Sequence, residues 1–148
     1  MLFEQISKDI IAAMKAKDKV TLEALRNIKK VFLEAKTAPG AGDTLTDEAA
    51  LKILQKLAKQ GKDSAQLFAA QNRQDLADAE EAQVKVIESY LPKQMSADEI
   101  EAAVKKIIAA IGAQGMKDMG KVMGAASKQL AGKAAGSAIA PIVKKLLA

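Results

Sequence analysis

Lys117, Lys121, Lys128 and Lys133, with Gly124 among them, fall in a stretch that has almost no acid to offset them. Residues 102–148 hold eight lysines and a single acidic residue, Asp118. Residues 1–101 hold 15 basic and 17 acidic residues, so the formal net charge of +5 resides in the C-terminal segment. Lysine ammonium groups act as point cations and suit phosphate oxygens. With no nucleophile or general base beside them they hold polyanions rather than break bonds. At 100° per residue, Lys117, Lys121, Gly124 and Lys128 project within roughly 60° of one another. Met119, Val122, Met123, Ala126 and Leu130 project to the other side as core. Gly124 then leaves a flat spot where a phosphate backbone can approach, and the nearby helix start offers N–H groups to anions. Lys133 flanks this stripe, and Lys105, Lys106, Lys144 and Lys145 extend the basic surface.

The four aromatic residues, Phe3, Phe32, Phe68 and Tyr90, all precede residue 92. Base stacking on single strands is therefore not expected of the C-terminal segment. The expected ligand is a structured RNA or a duplex, recognised by shape through its phosphates with strong salt dependence and little sequence specificity. Competing readings are a solvated lysine face, an acidic protein partner and a membrane surface.

Other chemistry has little to stand on. The chain lacks cysteine and histidine, which excludes disulfides, thiolate metal sites and every Ser-His or Cys-His nucleophile pair. Gly115 to Lys121 matches G-x-x-x-x-G-K. However, Val122 stands where a nucleotide loop needs a magnesium-binding hydroxyl, and a helix rather than a strand precedes it. Asp63, Asp75, Asp78, Glu80, Glu81 and Glu88 read as a solvated helix face, and no loop gathers them around a metal. No catalytic residue, metal or cofactor is expected. The absence of cysteine suggests a cytoplasmic protein. The early charges of the N-terminus do not read as a signal peptide, and no apolar run spans a membrane.

The elements that carry these residues read as all-α, because the Ala-, Leu-, Lys- and Glu-rich composition favours helices. Leu2, Ile6, Ile10 and Met14, with Phe3, Ala13 and Ile11 beside them, mark one face of a first helix over residues 2–16. Asp18 or Thr21 caps a second, with Leu22, Leu25, Ile28 and Phe32 inward. After the break at Thr37 to Asp43, Thr46 caps a third that continues past Gly61 to Leu67 and Phe68. A fourth begins near Asn72 and stops before Pro92. Ser96 and Glu99 form a capping box for a fifth, with Ile100, Val104, Ile107, Ile108 and Ile111 inward, ending at Gly112. A sixth covers 117–130. Ser137 caps the last, over 138–147, with Pro141 in its first turn. The division is an N-terminal domain, 1–91, resembling a four-helix bundle, and a basic three-helix domain, 92–148.

Several stretches together resemble one family. Asn72-Arg73-Gln74-Asp75-Leu76-Ala77, the pair Glu80-Glu81, Tyr90-Leu91-Pro92-Lys93-Gln94-Met95-Ser96 and Lys117-Asp118-Met119-Gly120-Lys121-Val122-Met123-Gly124 are similar to the motifs of the YqeY-like family. Leu25-Arg26 and Lys62-Asp63-Ser64 fit as well. The resemblance implies an all-helical protein whose C-terminal part is similar to the tail domain of the B subunit of the glutamine-dependent aspartyl/glutamyl-tRNA amidotransferase. That domain helps hold tRNA. A non-catalytic RNA-binding accessory protein is the expectation, with an adaptor for a translation enzyme as the alternative. The family label of carbon–nitrogen ligase with glutamine as amide donor has no visible active site here. Gly61 replaces a basic residue of the family pattern. Ala135 replaces an Asp, leaving the turn between the sixth and seventh helices without that side chain's oxygen.

Overall fold

The structure is a computed structural model that describes residues 1–148. Its regular elements are seven α-helices and one 3-10 turn, with no strand. The chain forms two compact units, Met1–Leu91 and Pro92–Ala148.

The first unit contains α1 (Leu2–Ala16), α2 (Lys19–Lys36), α3 (Asp47–Ala70) and α4 (Gln74–Glu88). Asp18, not Thr21, caps α2. Its carboxylate accepts the Thr21 N–H at 3.1 Å and the Thr21 hydroxyl at 2.6 Å. Thr46 caps α3 by accepting the Ala49 N–H at 3.1 Å. Ile6, Leu25, Ile28, Phe32, Leu54, Val84 and Ile87 close the core. The Leu2 N–H donates to Asp47 at 3.0 Å, and Lys36 lies 4.7 Å from the centre of the Phe3 ring. The Tyr90 hydroxyl donates to the Asp9 carboxylate. Burial, then that hydrogen bond, raise the Tyr90 phenol above its ordinary range.

The expected inward face of α1 needs correction. Met14 and Ile11 are 53% and 55% exposed, whereas Ala13 is buried as expected. Steps of four residues advance about 40° beyond a full turn, so three steps carry Met14 about 120° from Leu2. Ile111, expected inward on the fifth helix, is 40% exposed at the helix end. α4 starts at Gln74 rather than Asn72, because Asn72 adopts a left-handed φ of 60° in the turn.

The second unit contains α5 (Ala97–Ile111), a 3-10 turn (Met116–Asp118), α6 (Met119–Gln129) and α7 (Gly136–Leu147). Ser96 and Glu99 make the capping box in both directions, and Gly112 ends α5 with φ 74°. Its core is Ile100, Val104, Ile107, Val122, Ala126, Ile139, Val143 and Leu147. Ser137 is not the cap of α7. Ala135 holds that position without a side-chain hydrogen bond, and the helix begins at Gly136. Pro141 therefore falls in the second turn, where its missing N–H leaves the Ser137 carbonyl without its helical donor. Ser137 is exposed, so water can serve there.

Candidate nucleic-acid interface

The lysines are placed by the packing of α6. Val122 and Ala126 are wholly buried against α5 and α7, with Met119 and Met123 half-buried beside them. This fixes the rotation of the helix and turns Lys121, Gly124 and Lys128 to water. Lys117 belongs to the 3-10 turn, not to α6, so an α-helical projection does not set its direction; it is exposed all the same. Lys133 is exposed in the turn after α6.

That turn is held from outside. The Met95 N–H donates to the Lys133 carbonyl at 2.9 Å, and Gln94 Nε2 donates to the Gly132 carbonyl at 2.8 Å. Gly132 takes the positive φ of 78° that the turn requires. Backbone and glutamine contacts thus do the work expected of an acid at position 135.

None of Lys117, Lys121, Lys128 and Lys133 has a carboxylate within 4.0 Å. The nearest acid in sequence, Asp118, instead accepts the Gln114 N–H at 3.1 Å. In the same unit Lys105 is paired with Glu101 at 3.7 Å. The charge of these four lysines is therefore not offset by an ion pair within the chain.

The helix start is less open than expected. The Asp118 N–H donates to the Gly115 carbonyl at 3.0 Å and the Met119 N–H to the Met116 carbonyl. Two of the N–H groups at this end are thus taken within the chain, and the Asp118 carboxylate adds a negative charge beside it.

Gly124 has a partner that the sequence reading passed over. Gly120 lies one turn earlier and is also exposed. A Cβ built on either residue meets nothing within 4 Å. Gly124 lies in the interior of α6, where glycine costs about 1 kcal/mol relative to alanine, and Gly120 is the second residue of that helix; no contact inside this fold requires glycine at either position. The sequence signal was the four-residue spacing of the two glycines along the lysine stripe.

No polar or charged residue is buried anywhere in the chain, and no three His, Cys, Asp or Glu side chains gather as metal ligands. No helix is long and apolar enough to cross a membrane.

These features define an all-helical protein of two units, the second bearing a strip of unpaired lysines beside bare helix backbone. The chain belongs to the YqeY-like protein family, whose profile matches residues 3–147. It is similar to the altered inheritance of mitochondria protein 41, mitochondrial, of Pyrenophora tritici-repentis, at 28% identity over 93% of this chain and 75% of that protein. The protein of the same name from Vanderwaltozyma polyspora is 37% identical over 70% of this chain and 56% of its own length. That from Lachancea thermotolerans is 32% identical over 68% and 53%. The expectation of a cytoplasmic location does not stand, because these relatives are named as mitochondrial proteins. Absence of cysteine excludes disulfides but does not distinguish one compartment from another.

Proposed function

We propose that the protein is an RNA-binding accessory factor that holds tRNA or another structured RNA through the second unit. Lys117, Lys121, Lys128 and Lys133 neutralise backbone phosphates, and Gly120 and Gly124 let the backbone lie close to α6. The observation that carries this reading is the coincidence of unpaired lysines with helix glycines that internal packing does not need. The family resemblance to a tRNA-holding tail domain agrees with it. Filter retention of tRNA across a salt series tests it. Lys117→Glu/Lys121→Glu/Lys128→Glu should lose at least tenfold in affinity at about 0.1 M salt and flatten the salt dependence. Equal binding by this variant and the wild type rejects the interface.

A second reading is a docking site on the first unit for a translation enzyme. It is favoured by Ile11 and Met14, 55% and 53% exposed and three residues apart on α1. Replacing both with serine should abolish capture of that enzyme by the full chain and leave tRNA retention alone. Unchanged capture removes it.

A further inference from the structure

The near-neutral total of the first 101 residues conceals a local excess. α4 carries five acids and one base, whereas α2 carries five bases and two acids. On α2, Arg26, Lys29, Lys30 and Leu33 follow the spacing of one helix face. Arg26 and Lys30 are exposed and Lys29 is half-buried.

None of the three cations has a carboxylate within 4.0 Å, whereas Lys52, Lys62 and Arg73 in the same unit each do. The contrast is sharpest for arginine, of which the chain has two. Arg73 donates from Nε and Nη2 to the two oxygens of Asp75, at 3.2 and 3.1 Å. Arg26 is the guanidinium left with its planar fork open, the geometry that takes two phosphate oxygens at once. Arg26, Lys29 and Lys30 line a shallow cleft of about 380 Å³ with Leu33, Glu34 and Thr37. Glu34 and Glu23 limit the positive field along one margin.

We infer that this face of α2 is a second phosphate-binding surface for RNA, with Arg26 forking one backbone phosphate and Lys29 and Lys30 neutralising its neighbours. The inference takes the identity of the ligand from the RNA reading above but uses none of the second unit's residues. Size decides against a protein partner. A stable protein interface covers roughly 800 Å² per side around an apolar core with aromatic or arginine anchors. Here the apolar content is Leu33, 41% exposed, and the neighbouring aromatic ring, Phe32, is fully buried.

The experiment is tRNA retention by the full chain across a salt series. It compares wild type, Arg26→Gln/Lys29→Gln/Lys30→Gln, Lys117→Glu/Lys121→Glu/Lys128→Glu, and the combination. Circular dichroism melts confirm that each variant is folded; should the glutamine triple melt early, single Arg26→Gln and Lys30→Gln variants replace it. Removing the α2 cations should lower the salt slope by about 2 to 3, near 0.9 per phosphate neutralised. Affinity at about 0.1 M salt should fall at least tenfold. Arg26→Lys, which keeps the charge and loses the fork, should recover only part of that loss.

If the α2 variant binds like wild type while the stripe variant loses affinity, the α2 surface is rejected and the proposed interface stands. The reverse pattern rejects the proposed interface on the second unit and keeps α2. Loss by neither rejects both. Sedimentation with vesicles of phosphatidylcholine containing phosphatidylserine separates the remaining source of phosphate. If the α2 variant is released from vesicles yet retains tRNA, the surface belongs to lipid headgroups and the inference fails. Poly-glutamate that displaces tRNA from wild type at equal charge concentration likewise overturns it, in favour of acidic proteins.

Discussion

Single residues on α6 carry opposing demands on stability and binding. Gly124→Ala should raise the melting temperature, since alanine is favoured by about 1 kcal/mol in a helix interior and its methyl meets nothing within 4 Å. The same methyl stands between helix and ligand, so Gly120→Ala/Gly124→Ala should weaken tRNA retention while stabilising the fold. A mutation that stabilises yet weakens binding cannot be explained by unfolding. At the other end of the chain, hydrogen bonds from the Thr21 hydroxyl and N–H hold the Asp18 carboxyl below the usual carboxylate range. A lowered folded pKa means that its stabilising contribution is present above the ordinary carboxylate value, near 4. The contribution is lost as pH falls through the lowered one. Asp18→Asn should therefore lower stability at neutral pH, change it little near pH 2, and so flatten the acid limb of the stability-versus-pH curve, as read by thermal melts from pH 2 to 7.

At the level of helices, Gly61 shows what a single chain of letters conceals. Its position in the middle of α3 looked like a lost basic residue. In the fold it is buried, and a Cβ there would overlap Val84 Cγ2 on α4. A β-branched side chain in a helix has essentially one rotamer, so Val84 cannot turn away. Gly61→Ala should destabilise despite its better helix propensity, by about 1–3 kcal/mol, and Val84→Ala in the same chain should recover part of the loss. Chemical denaturation of the two single variants and the double variant checks this as a cycle. Local signals were easier to read. Thr46, Ser96 and Gly112 announce helix ends because a cap is a contact with the next few residues. Ser137 misled because the turn before α7 is held by Gln94 and Met95, about forty residues earlier. Met14 misled because a four-residue repeat drifts off a helix face. The stripe on α6 was legible from the alternation of Lys with Val, Met and Ala. The α2 cations were not, because acids on α4 cancel them in any sum over the segment.

For the whole molecule, two cores built from separate residues imply two separate sources of stability. Ile139 is wholly buried in the second unit, and Ile139→Ala should cost that unit about 2–5 kcal/mol. Hydrogen exchange should accelerate throughout residues 92–148, and amides of the first core, such as those of Ile28 and Leu54, should keep their protection. Uniform acceleration over the whole chain would show the two cores to be one cooperative unit. Tyr90 offers a way to watch them apart. The chain has one tyrosine and no tryptophan, and that phenol donates to a carboxylate on α1. A carboxylate accepting a phenol's proton quenches its emission, so opening of the first unit should brighten the fluorescence, while events confined to the second pass unseen. The protein thus carries an intrinsic optical gauge, tuned to one half of itself.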